Sequence, residues 1–278
     1  MNILVIGGDK RNVYLSELLK EKGDNVYSIG LNDSEKYGIE ECIYESNYIV
    51  VPTPFSVDGT NVYMPLCDKR ISLEYFFKLV KNKKIFGGNF SEKQNQILLD
   101  NKNEVYDFLK NKEFALNNVI PTVEGVIEII LKNINYTIDR SNIAIIGFGK
   151  IGKRAAVVLK SLGANIFCND VSEEEVANIQ FSGYNVIKSL RTKNNFDIIL
   201  NTVPAKVIGK EELSYMDKKA LIVDVASMPG GIDFKYAEEN GYNVIHALGI
   251  PGKKAPLTVA KNMLNIVLNK IKWGGFYD

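Results

Sequence analysis

The sequence predicts an α/β protein made of two Rossmann-like lobes, the second of which is a doubly wound parallel sheet that binds a dinucleotide. Two observations lead to this prediction. Short apolar strands alternate with amphipathic helical stretches along most of the 278 residues. In mid-chain, the apolar run 143–146 leads directly into Gly147-Phe148-Gly149-Lys150-Ile151-Gly152, after which a helical stretch begins. A Gly-x-Gly-x-x-Gly turn between a strand and a helix is typical of dinucleotide-binding domains.

Each glycine of this turn has its own physical reason. Gly147 permits the tight turn, Gly149 lets a pyrophosphate approach the backbone, and Gly152 allows the helix to pack closely on the sheet. The free N–H groups and the dipole at the start of the helix attract the phosphates. The next strand ends at Asn169 and Asp170, about twenty residues further on, where an acid is expected to bind the ribose. The alternative is a structural turn that has lost its nucleotide.

The composition excludes several classes of protein. Lysine and arginine number 34 against 33 aspartates and glutamates, so nothing indicates electrostatic binding to nucleic acid or to an anionic membrane. Cys42, Cys67 and Cys168 are too widely spaced for a zinc site or a disulfide framework. The first residues lack the features of a signal peptide, and no apolar stretch approaches the length of a membrane span. We therefore expect a cytoplasmic protein without a metal site.

The chain is expected to divide into an N-terminal α/β domain of the flavodoxin or Rossmann type, residues 1–119, and a second domain, residues 120–278. The second domain would comprise a connecting helix from Pro121, the dinucleotide-binding core and a closing C-terminal helix from Pro256 to Lys272. In the less regular end of the first domain, 105–111 is predicted to be helical. Ligands favour the carboxyl ends of parallel strands and the space between domains, so a cleft between the two is expected.

Two loops at later strand ends are predicted to contact the nicotinamide half of the cofactor. Thr202-Val203-Pro204 follows the fourth strand of the core, although an ordinary strand-terminating turn is the alternative. After the fifth strand, Ala226 and Ser227 are small enough to leave room for a flat nicotinamide ring. Asp224, which ends that strand, is either a buried structural acid or a catalytic group.

Polar and cationic side chains near other strand ends are candidates for binding a substrate carboxylate: Arg11, Thr122, Lys253 and Lys254. The two lysines lie on a segment that Gly and Pro are expected to hold as a loop, and solvated surface lysines are the alternative. The catalytic candidates are Glu124 and His246, with Asp58 as a further acid. Alternatively, Glu124 complements a helix dipole and His246 is a hydrogen-bonded strand terminus. A single histidine makes a Ser-His-Asp or zinc hydrolase difficult to assemble.

Several longer motifs are shared with one known family. They are Asn118-Val119-Ile120-Pro121-Thr122-Val123-Glu124-Gly125, Asp224-Val225-Ala226-Ser227 with Pro229-Gly230-Gly231, Asp233-Phe234-Lys235-Tyr236-Ala237-Glu238, and Gly249-Ile250-Pro251-Gly252-Lys253. The opening Ile6-Gly7-Gly8-Asp9, followed by Arg11, also matches. Together these motifs resemble the A subunit of dipicolinate synthase, and the similarity extends over nearly the whole chain.

The resemblance implies an NAD(P)-dependent oxidoreductase that acts in the mother cell of a sporulating bacterium. The implied substrate is a cyclic dicarboxylate, 4-hydroxy-tetrahydrodipicolinate, formed from aspartate semialdehyde and pyruvate. It loses water to give dihydrodipicolinate, whose oxidation yields dipicolinic acid. The resemblance also implies a smaller, flavoprotein-like B subunit as partner, and we expect a homo-oligomer. The family implies NADP, whereas an acid at Asp170 favours NAD because it repels a 2′-phosphate.

Two alternatives stay open, of which the first is another enzyme and the second a protein of a different class. A D-2-hydroxyacid dehydrogenase-like enzyme, or a relative of S-adenosylhomocysteine hydrolase, has a similar core. The dehydrogenase needs an Arg, Glu and His set, which Arg191 and His246 do not supply in the expected context. A non-catalytic subunit that binds a dinucleotide and scaffolds the flavoprotein partner is the second alternative. Hydride transfer by the isolated chain distinguishes an enzyme from such a scaffold.

Overall fold

The computed structural model describes residues 1–31, 37–193 and 195–272, and the chain divides into two compact units. Unit 1 comprises Met1–Asn118 and Ala255–Asp278, and unit 2 comprises Val119–Lys254. Each unit is built around one parallel β-sheet. The prediction of two parallel-sheet α/β domains is confirmed.

Within the described residues, unit 1 contains a five-stranded sheet in the order β2-β1-β3-β4-β5. Its strands are β1 (Asn2–Ile6), β2 (Asn25–Ile29), β3 (Tyr48–Val50), β4 (Lys84–Gly87) and β5 (Glu104–Asp107). Its first helices are α1 (Lys10–Glu21), α2 (Ile39–Glu45), α3 (Leu73–Leu79), α4 (Glu92–Asp100) and α5 (Lys112–Asn117). This strand order is the flavodoxin-like one, in which the chain reverses direction between β1 and β3.

The prediction of a helix at 105–111 is wrong. The first part of this segment forms β5, which pairs in parallel with β4 so that Val105 lies opposite Ile85. A 3-10 turn at Phe108–Lys110 then leads to α5. Short apolar runs fit both the helical and the extended pattern, and pairing with the edge of the sheet decides between them.

Unit 2 contains a six-stranded parallel sheet in the order β11-β10-β9-β6-β7-β8, as far as the structure describes the unit. Its strands are β6 (Asn142–Ile146), β7 (Asn165–Asn169), β8 (Asn185–Val186), β9 (Ile198–Asn201), β10 (Leu221–Asp224) and β11 (Asn243–His246). Its helices are α6 (Val119–Asn133), α7 (Lys150–Ser161), α8 (Glu173–Phe181), α9 (Lys210–Ser214), α10 (Phe234–Glu239) and α11 (Ile250–Lys254). The sheet winds outwards in both directions from β6 and β9, which is the Rossmann order.

Both faces of the unit 2 sheet are buried. Along β6, Ile143 and Ile145 belong to one core cluster, which includes residues of α6 and α7, whereas Ala144 and Ile146 belong to another. Successive side chains of a strand point to opposite faces, so a strand that is covered on both sides is apolar throughout. This packing fixes the carboxyl edge of the sheet, where the predicted cofactor loops begin.

The C-terminal helix α12 (Pro256–Lys272) has the predicted bounds but lies in unit 1, not in the predicted second domain. Val259, Met263 and Val267 share a core cluster with Leu15 of α1. Their spacing of four residues places them on one face of the helix. The apolar face of a helix needs an apolar partner, and position in the sequence does not say which domain supplies it.

One helical stretch is long and apolar enough to cross a membrane, contrary to the expectation from sequence. Lys112–Asn133, 22 residues that include α5 and α6, meets the criterion by length and composition alone. The core helix of a soluble protein passes the same test, and Val123, Val126 and Ile130 of α6 are buried in the core of unit 2. A single helix of this kind is weak support for a membrane segment.

Candidate dinucleotide-binding site

The carboxyl ends of the unit 2 strands form one row, which the register of the sheet fixes. Asn169 lies opposite Ile146, which in turn lies opposite Asn201. Asp224 pairs with Asn201 on one side and with His246 on the other. The predicted cofactor loops leave from this row, at the edge where doubly wound sheets bind their ligands.

The three glycines of the turn at 147–152 differ in the space around them. Gly147 has a φ of +91°, and an added Cβ would lie 2.6 Å from Thr202 Oγ1. On Gly152, a Cβ would lie 2.0 Å from the carbonyl oxygen of Gly147, so the fold requires both glycines. On Gly149, a Cβ would meet nothing within 4 Å, and the φ of −73° suits any residue. The protein itself does not require glycine at this position, and the space beside it suits an approaching pyrophosphate.

Helix α7 begins without a side-chain cap. Its N-cap residue is Gly149, which is exposed, as is Lys150. The first N–H groups of a helix have no partner within it, so this helix start can bind an anion. Phe148 is buried against the edge of the Tyr184 ring, with centroids 6.0 Å apart, and Ile151 is half-buried against the same core cluster. These two side chains anchor the turn, while Gly149 stays at the surface.

Asp170 follows β7 and contacts the glycine turn directly. Its carboxylate accepts hydrogen bonds from the N–H of Phe148 at 2.7 Å and from the N–H of Ser172 at 3.0 Å. The neighbouring Asn169 donates its side-chain amide to the carbonyl oxygen of Ile187 at 2.8 Å. Asp170 therefore lies at the turn, whereas the side chain of Asn169 holds the end of β8.

The loop after β9 packs onto the same turn. Thr202 Oγ1 donates to the carbonyl oxygens of Ile146 and Gly147, at 3.1 and 3.2 Å. Val203 is half-buried against Gly147, and Pro204 is exposed. A hydroxyl has one hydrogen and two lone pairs, so Thr202 can support the turn and still accept a hydrogen bond from a ligand.

Asp224 is fully buried at the end of β10, and its contacts are those of a structural acid. Its carboxylate accepts hydrogen bonds from Asn201 Nδ2 at 2.9 Å, from the N–H of Ala226 at 2.9 Å and from the N–H of Gly231 at 2.7 Å. Ala226 is buried, whereas Ser227 is exposed. The sequence-based site residues did not include Asn201, because its pairing with Asp224 depends on the register of β9 and β10.

Four predicted substrate-binding and catalytic residues lie on two helices of unit 2 that pack together. Thr122 and Glu124 are on α6, and Lys253 and Lys254 are on α11. The predicted Gly/Pro loop for the lysines is therefore a short helix. A Cβ on Gly125 would lie 2.2 Å from Ile250 Cγ2, so glycine is what allows α6 and α11 to meet.

The charges on these two helices are partly paired. Lys254 Nζ lies 2.8 Å from Glu128 Oε1, and hydrogen bonds from Lys132 and Lys254 hold the pKa of Glu128 below its ordinary value. Thr122 is buried, and Glu124 is exposed. Lys253 is exposed and has no ion pair among the described contacts, which leaves its charge available to a ligand.

The other predicted acid–base groups are held by neighbours. The His246 ring stacks on Phe234 with centroids 4.4 Å apart, and its Nε2 is buried without a hydrogen-bond partner in the described part of the chain. Asp58 is exposed, and hydrogen bonds from the side chain and N–H of Asn61 and from the N–H of Thr60 hold its pKa well below its ordinary value. Asp58 is therefore a weak base. Proton transfer by His246 stays a prediction.

Arg11 lies in unit 1 and is engaged by its own turn. Its Nε and Nη2 each donate to the Asp9 carboxylate at 2.9 Å, and Nη2 also donates to the carbonyl oxygen of Thr53. The fork predicted for a substrate carboxylate thus already holds the carboxylate of Asp9. Among residues 1–31, 37–193 and 195–272, no group of three or more His, Cys, Asp or Glu could hold a metal ion.

Two family models match the chain. Residues 2–109 match the N-terminal domain of the dipicolinate synthase A subunit, and residues 130–228 match the D-isomer specific 2-hydroxyacid dehydrogenase, NAD binding domain. The second match includes the glycine turn, Asp170, the loop that follows β9 and the start of the loop that follows β10. It supports a nicotinamide dinucleotide as cofactor and a dinucleotide-dependent oxidoreductase as the class of protein.

Similarity to individual proteins extends over both units. The dipicolinate synthase A subunit of Bacillus subtilis (strain 168) is 29% identical over 280 residues, which cover 96% of this chain and 94% of that protein. The crystal structure of the Bacillus subtilis A chain matches with a TM-score of 0.85 and 29% identity, covering 98% of this chain and 97% of that one. The A subunit from Bacillus halodurans matches with a TM-score of 0.87 and 24% identity over 97% of both chains. The chain thus resembles the A subunit of dipicolinate synthase over nearly its whole length, as its sequence motifs predict.

Proposed function

We propose that this chain is the A subunit of a dipicolinate synthase and oxidises dihydrodipicolinate to dipicolinic acid during sporulation. Dihydrodipicolinate and oxidised nicotinamide cofactor would give dipicolinate, reduced cofactor and one proton. The observation that carries the proposal is the glycine turn at 147–152, which leaves room for a pyrophosphate beside Gly149. The turn lies in a chain that resembles the A subunit of dipicolinate synthase.

The chain's own residues fit a nicotinamide dinucleotide. The turn at 147–152 and the start of α7 would hold the pyrophosphate, and Asp170 would accept ribose hydroxyls. Asp170 already accepts two N–H groups, and an ionised carboxylate has about four acceptor positions, so further hydrogen bonds are possible. Thr202-Val203-Pro204, with Ala226 and Ser227, would contact the nicotinamide half. The bound cofactor supplies the acceptor for the hydride.

The substrate would be held by charge and hydrogen bonding. A planar dicarboxylate needs cationic or N–H partners, for which Lys253 and Lys254 on α11 and Thr122 on α6 are the candidates. Lys253 is the strongest of these, since its ammonium group is exposed and has no ion pair in the described contacts. Because aromatisation of the ring favours the oxidation, orientation of the substrate is the main task of the protein.

A proton must also leave the ring, and Glu124 and His246 are the proposed acceptors. Glu124 is exposed on α6, the helix that packs against the one carrying Lys253. His246 is packed on Phe234, and its Nε2 is buried. These surroundings favour Glu124 as the acceptor.

We further propose that the chain prefers NAD to NADP. Asp170 is an acid where NADP-binding relatives need a basic partner, and its charge would repel the 2′-phosphate. The dissociation constants of NADH and NADPH are compared for the wild type and for Asp170→Asn. The wild type should bind NADH more tightly than NADPH, and this difference between the two dissociation constants should be smaller in the variant. Tighter binding of NADPH by the wild type would contradict the proposed preference.

The proposed partner is the smaller, flavoprotein-like B subunit, and the proposed setting is the cytoplasm of the mother cell. A homo-oligomer of the A subunit is expected as well. The similar proteins from both Bacillus species are A subunits of a synthase, which supports a second kind of subunit. Size-exclusion chromatography with light scattering, with and without the purified B subunit, measures both associations.

The decisive experiment supplies freshly condensed aspartate semialdehyde and pyruvate, with NAD or NADP, to the purified chain. Dipicolinate is followed by terbium luminescence, with and without the B subunit. Product in either mixture supports the proposal, and dependence on the B subunit separates a complete enzyme from one part of an enzyme. Gly149→Val is the matched control, because an added Cβ meets no protein atom within 4 Å but would enter the space proposed for the pyrophosphate. No product, despite proven cofactor binding, would favour a D-2-hydroxyacid dehydrogenase-like enzyme or a scaffold subunit.

A further inference from the structure

Asn201 and Asp224 form a buried pair at the carboxyl ends of β9 and β10, which we name the amide–carboxylate clamp. We infer that the clamp positions the two loops that receive the nicotinamide half of the cofactor, an inference that rests on the proposed function. Both residues are fully buried, so neither is placed to touch a ligand. They are positioning residues, and their effect would act through the loops that follow them.

The clamp ties the first residues of each loop. Asn201 Nδ2 donates to Asp224 Oδ1 at 2.9 Å and also to the carbonyl oxygen of Val203 at 3.1 Å. The N–H of Val203 donates back to Asn201 Oδ1 at 3.3 Å. On the other side, Asp224 accepts the N–H groups of Ala226 at 2.9 Å and Gly231 at 2.7 Å. One side-chain pair therefore fixes both Val203 and Ala226, two of the proposed nicotinamide contacts.

The loop after β10 is built around the clamp without spare room. A Cβ on Gly231 would lie 2.1 Å from Asn201 Nδ2 and 2.6 Å from the carbonyl oxygen of Val203. Gly230 has a φ of +86°, and a Cβ there would lie 3.0 Å from Asp224 Oδ2. The two glycines let the loop curl back onto Asp224, so that the β9 and β10 loops meet at the clamp.

A charged group suits this position because three N–H donors converge on it. An ionised carboxylate only accepts hydrogen bonds, whereas an asparagine in its place would turn an NH₂ group towards at least one of these donors. A buried donor without an acceptor costs the free energy of its desolvation. Asp224→Asn should therefore loosen the loops while keeping the volume of the side chain.

The effect should be confined to one half of the cofactor. The proposed contacts of the adenosine half and the pyrophosphate are the turn at 147–152 and Asp170, which are not part of the clamp. ADP-ribose carries that half and lacks the nicotinamide ring. A comparison of NADH with ADP-ribose therefore separates a loosened nicotinamide pocket from a general loss of folding.

The experiment measures the dissociation constants of NADH and ADP-ribose for the full chain by titration calorimetry. Asp224→Asn should weaken the binding of NADH about tenfold or more, whereas the dissociation constant of ADP-ribose should change less than about twofold. Asp197→Asn is the matched control: its carboxylate accepts the N–H of Asn142 at 2.8 Å at the opposite end of β9. It should leave both ligands unaffected. Asn201→Ala keeps the two backbone hydrogen bonds of Asp224. It should therefore also weaken the binding of NADH, but by a smaller factor than Asp224→Asn.

Equal weakening of NADH and ADP-ribose by Asp224→Asn, in protein whose thermal unfolding stays cooperative, would overturn the inference. Unchanged NADH binding would overturn it too, without affecting the proposed function. If Asp224→Asn does not fold, Asn201→Ala decides by the same comparison of ligands. Failure of the wild type to bind NADH at all would overturn both. In the synthase assay, Asp224→Asn should raise the KM for the cofactor by a larger factor than it changes kcat.

Discussion

The two units begin in the same way and differ at one turn. In each, the first strand leads through glycines into a helix of 12 residues, α1 in unit 1 and α7 in unit 2. In unit 1 the N-cap is Asp9, whose carboxylate accepts the N–H of Arg11 at 3.0 Å and holds its guanidinium. In unit 2 the N-cap is Gly149, which has no side chain and nothing within 4 Å of an added Cβ. Only the second helix start leaves its N–H groups to a ligand.

The difference shows what makes a glycine-rich turn a phosphate site. In unit 1 the N–H of Gly8 donates to the carbonyl oxygen of Tyr63, and a Cβ on Gly8 would lie 2.3 Å from Asn12. The protein's own groups therefore occupy that turn. A strand, a glycine and a helix supply the dipole in both units, but an anion also needs unoccupied space and unpaired donors. The glycine at the N-cap of α7 supplies both.

The largest effect that would test this comparison is expected from Gly149→Val. Because the protein leaves the space empty, the free energy of unfolding should change by less than about 1 kcal/mol, the order of an altered N-cap. The side chain would occupy the place of the pyrophosphate, so NADH affinity should fall about a hundredfold, roughly 2.8 kcal/mol. Titration calorimetry and urea unfolding measure the two quantities. Retained NADH affinity would show that the open space is not the phosphate site.

The next largest effect is expected from a comparison of two glycine substitutions, one in each unit. In Gly152→Ala the new Cβ would lie 2.0 Å from the carbonyl oxygen of Gly147, and in Gly8→Ala it would lie 2.3 Å from Asn12 at a φ of +97°. Both should destabilise the fold by about 1–3 kcal/mol, the usual range for overpacking. Only Gly152→Ala should also weaken NADH, since it displaces the turn itself. Equal effects of the two variants on NADH affinity would contradict the assignment of the cofactor to unit 2.

Much of the fold was accessible from the sequence, because strand and helix patterns are local. The predicted bounds of α12 and the predicted end of β7 agree with the structure. The helix predicted at 105–111 was wrong, since a short apolar run takes its form from the neighbouring strand β4. The predicted assignment of α12 to the second domain was wrong as well. An amphipathic face indicates that a helix is buried, but the partner, here the face of α1 around Leu15, is a long-range property.

The candidate site likewise has a part that local sequence patterns predict and a part that depends on long-range contacts. The turn at 147–152 and Asp170 follow from spacing within one strand–helix–strand unit, which a sequence displays directly. The amide–carboxylate clamp does not, because Asn201 and Asp224 are 23 residues apart and meet only through strand register. Its one local signal is an acid at a strand end followed by Gly230-Gly231. Likewise, the sequence indicates a cation at Arg11 but not that Asp9 and Thr53 already hold it.

A smaller effect is expected from Arg11→Lys in unit 1. A lysine keeps the charge but loses the planar fork that donates twice to Asp9 and bridges to Thr53. Losing charge-assisted hydrogen bonds at a half-buried site should lower the free energy of unfolding by about 1–2 kcal/mol. NADH affinity, measured in parallel, should not change. A clear loss of NADH affinity would mean that the unit 1 turn contributes to the cofactor site after all.

The smallest effect concerns the basic residue near the start of each helix. Arg11 pairs with the N-cap of its own helix, whereas Lys153 of α7 pairs with Glu175 of α8, its Nζ 2.7 Å from Glu175 Oε2. The hydrogen bonds from Lys153 and then from Asn178 hold the pKa of Glu175 below its ordinary value. A carboxyl whose pKa is lowered by folding stabilises the native state above its unfolded pKa, and this contribution is lost as pH falls through the folded pKa.

Glu175→Gln should therefore lower the free energy of unfolding at neutral pH by less than about 1 kcal/mol, as for other exposed ion pairs. As pH falls from neutral through the folded pKa of Glu175, the wild type and the variant should converge, because the carboxyl of the wild type then becomes protonated. Urea unfolding of both proteins across this pH range measures the convergence. If the two proteins differed equally at every pH, Glu175 would contribute through packing and not through its charge.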